Sequence, residues 1–218
     1  MTNVQKAVPR PYLPAAGSDR ALPFYDPLVK LLGADKARAV LIQQAALQPG
    51  YRVLDVGSGT GTLATQLKLS SPSVEVTGLD PDPLALNRAR QKASRNRVTV
   101  QFDQGYADEL PYDDRSYDRV FSSFMLHHLP AESKINALRE IRRVLKPGGS
   151  LHLLDFSQNS HIHGLLAHLF HRNQQLKDNS DQRIVSLMNE AGFEKARQLT
   201  EGSLLLGVMR IVYFTGAK

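Results

Sequence analysis

The chain has 218 residues, 42% of them hydrophobic and 22% charged, the composition of a folded protein large enough to bury its own core. It contains no cysteine, which excludes disulfides, thiolate metal sites and a cysteine nucleophile and fits a reducing, cytoplasmic compartment. The net charge of +6 permits attraction to nucleic acid or acidic lipid, but Arg88, Arg90, Lys92, Arg139, Arg142 and Arg143 are spread along helical patterns and read as solvated helix surface.

Residues 1–20 hold three of the twelve prolines and read as a flexible arm with no apolar block of signal-peptide type. The rest, 21–218, reads as one domain. The spacing of Leu28, Leu31, Leu32, Val40, Leu41 and Leu47 predicts two N-terminal helices within 21–48, broken near Gly33. Strands are then expected at 51–56, 74–79, 98–102, 117–123 and 149–155, with helices at 61–69, 83–94 and 131–145. Lys146-Pro147-Gly148-Gly149 reads as a helix stop followed by a turn. Residues 162–176 read as a helix within a cap insertion at 157–178, and 180–191 as another helix. Two final strands are expected, joined by a short turn near Glu201–Gly202 and therefore antiparallel. Short apolar strands alternating with helices imply an α/β fold: a doubly wound, Rossmann-like sheet of seven strands, mostly parallel with the last antiparallel. No apolar run approaches the roughly 20 residues that a membrane span requires.

The first strand runs into Val53-Leu54-Asp55-Val56-Gly57-Ser58-Gly59-Thr60-Gly61. In a doubly wound sheet ligands bind at the carboxyl ends of the strands, beside the point where strand order reverses. Glycines there let the chain turn tightly and let a ligand approach the backbone. A dinucleotide fingerprint, G-x-G-x-x-G, would need its third glycine at 62, which is Thr62. Asp80 ends the second strand, where a carboxylate can accept from both hydroxyls of a ribose. Asp82, before Pro83, is the better helix cap, which leaves Asp80 for a ligand.

The G-x-G-x-G loop, with Asp55 two residues ahead of it, resembles the first motif of class I S-adenosylmethionine (AdoMet) methyltransferases. Residues 104–129, with Gly105, Ala107, Leu110, Pro111 and Tyr112 ahead of Tyr117-Asp118-Arg119-Val120 and Leu126-His127-His128-Leu129, are similar to small-molecule enzymes of the ubiquinone/menaquinone C-methyltransferase type. So are residues 137–156. The resemblance implies a methyltransferase using AdoMet and releasing S-adenosylhomocysteine. It implies a cofactor site of Tyr25, Asp55, Gly57, Ser58, Gly59, Thr60, Gly61, Asp80, Pro81, Gly105, Tyr106, Ala107, Ser122 and Phe124. Tyr106 departs from the family, which has an aspartate there facing the adenine amino group. The phenol, Asp108 or the backbone around Ala107 can take that role.

Methyl transfer is an in-line displacement that needs a base only if the acceptor carries a proton. His127 and His128, just past the fourth strand, are the candidates for that base. Four more histidines, His161, His163, His168 and His171, lie where no carboxylate accompanies them, so no metal site is expected. Leu165, Leu166, Leu169 and Phe170 form an apolar face there, which favours an apolar or aromatic small-molecule acceptor. Ser122-Ser123-Phe124-Met125 does not match the motif of base-amino methyltransferases, and a nucleic-acid methyltransferase or a non-catalytic AdoMet-binding protein remain the alternatives. Either a monomer or a homodimer is compatible with this pattern.

Overall fold

The computed structural model describes residues 31–157, 180–204 and 209–218. The proline-rich arm, Tyr25, most of the expected cap and the His161, His163, His168 and His171 cluster lie outside the described residues. Helix α1 spans Ala34–Gln44, and the break ahead of it falls at Gly33, whose φ of 91° only glycine adopts without strain. There follow β1 (Arg52–Val56), α2 (Thr62–Ser70), β2 (Glu75–Asp80), α3 (Pro83–Arg95), β3 (Gln101–Gln104) and β4 (Tyr117–Ser123). A 3-10 turn (Leu126–His128) leads into α4 (Ala131–Val144), β5 (Leu145–Phe156), α5 (Asp181–Glu190), β6 (Glu194–Leu204) and β7 (Met209–Ala217).

The strands form one sheet in the order β3-β2-β1-β4-β5-β7-β6. Only β7 runs against its neighbours. This is the expected architecture, and the strand order reverses between β1 and β4. Alternation along each strand feeds two cores. Val53, Phe121, Leu154, Ile211 and Tyr213 pack beneath α1, α2 and α3 with Leu41, Leu67 and Leu86. Leu54, Val120, Leu153, Val212 and Phe214 pack on the other face with Leu138 and Ile141 of α4 and Ile184 and Leu187 of α5. Tyr213 also donates its hydroxyl to the Ala37 carbonyl (3.1 Å), pinning α1 to the sheet.

Three boundaries differ from expectation. β3 starts at Gln101 rather than 98, because Arg97 takes a left-handed φ of 56° and closes α3. The Arg97 N–H bonds the Ser94 carbonyl and the Val98 N–H the Ala93 carbonyl, the paired bonds of a Schellman ending. Lys146–Gly149 does stop α4 but forms a bulge inside β5, across which Tyr117 pairs with Leu145 and Arg119 with Ser150. The turn expected at Glu201–Gly202 is instead paired strand: Glu201 faces Val212 and Gly202 faces Ile211. The Glu201 carboxylate pairs with Arg210 across the ladder, so the acidic-glycine pair serves the strand and not a reversal.

Candidate active site

The loop after β1 folds over the tip of β2. The N–H groups of Gly57 and Ser58 both donate to the Leu79 carbonyl (2.8 and 2.9 Å), and the Gly61 N–H donates to Ser58 (2.8 Å). All three glycines have positive φ. The reason for two of them lies inside the protein. A Cβ on Gly57 would fall 2.2 Å from Met125 Cγ, and one on Gly61 would fall 2.7 Å from Ala89 Cβ and 2.9 Å from Phe102 Cζ. Close packing against the turn after β4, and of α2 on α3, therefore excludes side chains at Gly57 and Gly61 independently of any ligand.

Asp80 closes the loop from the side. Its Oδ2 accepts from the Gly59 N–H (2.8 Å) and its Oδ1 from the Asp82 N–H (3.0 Å). Each oxygen keeps a second lone pair for a hydroxyl donor. Burial pushes this carboxyl up to about 6, against the pull of those two N–H groups. Asp82 is the helix cap, as expected: its Oδ1 accepts from the Leu84 N–H (2.8 Å).

Asp55, at the tip of β1, is 1% exposed, and neither carboxylate oxygen has a well-formed hydrogen bond among the described residues, the Ala64 N–H being its nearest donor in effect. Burial pushes it up to about 7; the Arg38 charge pulls it down, the Asp80 charge pushes it further up, and the Ala64 N–H of α2 pulls it down a little. An orphaned buried carboxylate costs several kcal/mol unless a cation is supplied. Arg38 on α1 is itself 6% exposed and loosely held, with one bond to Ser123 Oγ and one to Asp35 Oδ1, both at 3.4 Å. Its guanidinium carbon lies 5.4 Å from the centre of the Phe124 ring. A buried anion and an under-bonded buried cation thus flank the same strand tips.

On the other side of β2, the Gly105 N–H donates to the Asp80 carbonyl (3.2 Å). Tyr106 makes a β-bridge to Glu109, and Ala107 packs on the second core. α4 holds this loop: Glu140 accepts from the Leu110 N–H (2.8 Å), and Arg143 donates to the carbonyls of Leu110 and Tyr112. Ser122 is buried with its hydroxyl unbonded among the described residues. Phe124 is buried in the first core and holds a φ of 56°, a strained value for a non-glycine residue and one that clusters at functional sites.

His127 sits on the 3-10 turn after β4. Its Nδ1 lies 2.6 Å from Asp155 Oδ1, at the far end of β5. Asp155 is fully buried and accepts two further bonds, from the His127 N–H on Oδ2 (3.0 Å) and from the Phe156 N–H on Oδ1 (2.8 Å). Burial pushes the Asp155 carboxyl up, but the His127 charge and these donors outweigh it and hold it below the usual carboxylate range. His128 stacks on His127, with ring centres 4.0 Å apart. Burial, then the neighbouring His127 charge, push His128 down to about 3, so it stays neutral.

The structure therefore gathers Asp55, the glycine loop, Asp80, Gly105, Tyr106, Ser122, Phe124 and both histidines at the carboxyl ends of β1 to β4. Sequence reasoning missed Arg38, Met125 and Asp155. Two of these had a legible signal. Arg38 is the one charged residue at an inward position between Ala34, Ala37 and Leu41, and Asp155 ends an apolar strand just as Asp80 does. Met125 had none.

Residues 53–149 match the family described as a methyltransferase domain. The chain is 41% identical over 138 residues to a demethylmenaquinone methyltransferase of Deinococcus radiodurans, covering 62% of this chain and 56% of that one. It is 36% identical over 141 residues to a ubiquinone/menaquinone biosynthesis C-methyltransferase of Geobacter sp., covering 62% and 59%. The chain thus spans a little over half the length of these relatives. Among solved structures, phosphoethanolamine N-methyltransferase 2 of Haemonchus contortus in complex with AdoMet shares the fold with a TM-score of 0.77 at 16% identity, over 94% of this chain and 58% of that one. The [4+2]-cyclase SpnF shares it with a TM-score of 0.71 at 20% identity, over 85% and 81%, so the fold by itself does not name the chemistry. Residues 53–149, which build the tips of β1 to β4, thus match a methyltransferase domain, and by sequence the chain is similar to ubiquinone and menaquinone C-methyltransferases over a little over half of their length.

Proposed function

We propose that this protein binds AdoMet at the tips of β1, β2 and β3 and transfers its methyl group to an apolar, aromatic small molecule. The observation that carries this reading is the orphaned Asp55 carboxylate beside the under-bonded Arg38. A ligand with an ammonium and a carboxylate on one carbon satisfies both at once. The tail of AdoMet is such a group: Asp55 takes its ammonium and Arg38 its carboxylate. Asp80 takes the ribose hydroxyls, with Pro81 beside it. The Gly57–Gly61 loop, with Ser58 and Thr60, lies along the tail, and Gly105, Tyr106 and Ala107 form the adenine side. Ser122 and Phe124 line the floor under the tail. When bound, AdoMet supplies a methyl on a positive sulfonium, already activated for displacement. The work left to the protein is to hold the acceptor in line at about 3–3.5 Å and to exclude water. The aromatic acceptor is supported by the sequence relatives, one named a demethylmenaquinone methyltransferase and another a ubiquinone/menaquinone biosynthesis C-methyltransferase.

Isothermal titration with S-adenosylhomocysteine tests the reading. One saturable site is expected, weakened at least tenfold by Asp55→Asn. Folded protein that takes up neither S-adenosylhomocysteine nor AdoMet overturns it.

A further inference from the structure

We propose that Glu140 and Arg143 of α4 are positioning residues for the adenosine half of the cofactor: they fix the main chain on the far side of the turn at 106–109 and so set where the adenine edge is read. This rests on the methyltransferase reading and adds to it the pair that places one of its loops.

β3 ends at Gln104 and β4 starts at Tyr117, so the residues between them hold their shape outside the sheet. Tyr106 and Glu109 close a tight turn, with the Glu109 N–H on the Tyr106 carbonyl (3.2 Å). The near end of the turn is set by the sheet. The Gly105 N–H donates to the Asp80 carbonyl (3.2 Å), and a Cβ on Gly105 would fall 2.8 Å from Leu79 Cδ1. The far end is set by α4. Both polar groups of the Leu110 main chain are engaged by side chains of that helix, the N–H by Glu140 Oε2 (2.8 Å) and the carbonyl by Arg143 Nη2 (2.9 Å). Arg143 Nη1 goes on to the Tyr112 carbonyl (2.7 Å). The N–H groups of Arg115 and Ser116 then bond the carbonyls of Arg143 and Val144 and complete the seam.

The two side chains also fix one another. Arg143 Nε and Nη2 donate to the two oxygens of Glu140 (2.7 and 2.8 Å), a parallel fork that leaves neither group free to turn. A charged pair one turn apart on a helix surface stabilises the helix little. Here its remaining bonds go to the main chain of another segment, the arrangement that holds a binding loop in place. The Arg143 bond holds the Glu140 carboxyl below the usual carboxylate range, so the pair stays ionised through neutral pH. Two other anchors survive the loss of Glu140. The Leu110 side chain is buried in the second core with Leu138 and Ile141, and the Tyr112 hydroxyl donates to Asp103 Oδ2 (3.1 Å). What goes is the orientation of the Leu110 main chain, and with it the placing of the turn that faces adenine.

The test is isothermal titration of the full chain with S-adenosylhomocysteine and with 5′-methylthioadenosine, which keeps the adenosine and lacks the amino-acid tail. Glu140→Leu is expected to weaken both ligands by the same factor, about tenfold. Glu140→Gln, whose amide oxygen still accepts from the Leu110 N–H, should bind both within threefold of wild type, a rescue that a general loosening of α4 would not give. Arg143→Lys keeps the charge but not the fork and should match Glu140→Leu; it carries the test if Glu140→Leu does not fold. Asp114→Asn removes an exposed partner of Arg143 and leaves the Leu110 bonds in place, so both ligands should stay within threefold. The proposal is overturned if folded Glu140→Leu, or Arg143→Lys in its place, binds both ligands within threefold of wild type. It is equally overturned if the loss falls on S-adenosylhomocysteine with 5′-methylthioadenosine spared, or if Glu140→Gln or Asp114→Asn loses as much as Glu140→Leu. Wild-type protein that binds neither ligand overturns the methyltransferase reading instead.

Discussion

The two halves of the site are built in different ways. The half proposed to hold the donor is dominated by one continuous run, Asp55 to Gly61, closed by Asp80 through a bond to the Gly59 N–H. The side of the site past β4 is assembled across the sheet: His127 meets an aspartate 28 residues further on, at the tip of the neighbouring strand. A local loop advertises itself in sequence because its residues must sit at set spacings. A cross-strand pair does not, because its spacing depends on the length of the helix between the strands. The comparison also cautions against reading glycines as ligand marks, since Gly57 and Gly61 face protein atoms.

That last point can be broken most sharply. Gly57→Ala combines a φ of 75° with a 2.2 Å approach to Met125 Cγ, so denaturant unfolding should show a loss of about 2–4 kcal/mol. If packing is the reason, adding Met125→Ala relieves part of the loss; if the glycine exists only for a ligand, the second change adds its own cost and relieves nothing.

The donor half is sharpened by trimming the ligand. Arg38→Gln should weaken S-adenosylhomocysteine binding about 10- to 100-fold, the range for a lost charge-assisted bond, and leave 5′-methylthioadenosine, which lacks the amino-acid tail, within threefold. Equal losses for both ligands would detach Arg38 from the tail.

Proton linkage contrasts the site with the interior of the sheet. Asp55 has a folded pKa of about 7 against 3.8, so the folded chain binds the extra proton, and this group's destabilising contribution shrinks as pH falls from 7 toward 4. Stability of wild type relative to Asp55→Asn should therefore rise over that window in the absence of ligand. His152, in the middle of β5, has the opposite sign. Burial, then the Arg119 charge, push it down to about 3 from 6.5, so the unfolded chain takes the proton and stability is lost as pH falls through 6.5. His152→Phe, stacked against Phe121 in place of the imidazole, should flatten that acid limb in denaturation curves recorded between pH 7 and 4.

The smallest effect expected is at Asp82. Asp82→Ala removes the cap on Leu84 and should cost about 1 kcal/mol, read as a lower denaturation midpoint with S-adenosylhomocysteine affinity within threefold of wild type.

Much of this molecule was legible. The alternation that gives Val53 to one core and Leu54 to the other marks a strand buried on both faces, and the order of strands and helices implies a parallel, doubly wound sheet. The reading failed where a residue type has two uses. Glu201–Gly202 reads as a turn, yet a glycine on an edge strand beside a charged cross-strand pair is equally at home. Val98 reads as strand, yet its N–H is spent on closing α3.

The sequence by itself determined the order of elements, the glycine loop, the acidic residue at the end of β2 and the placing of two histidines after β4, because each depends on neighbours within a few residues. Only the tertiary structure decided that Arg38 faces Asp55, that Met125 occupies the space a side chain at Gly57 would need, and that Asp155 grips His127. These pairs lie from 17 to 68 positions apart, and the packing of helix and turn on a sheet buried on both faces is what brings them together.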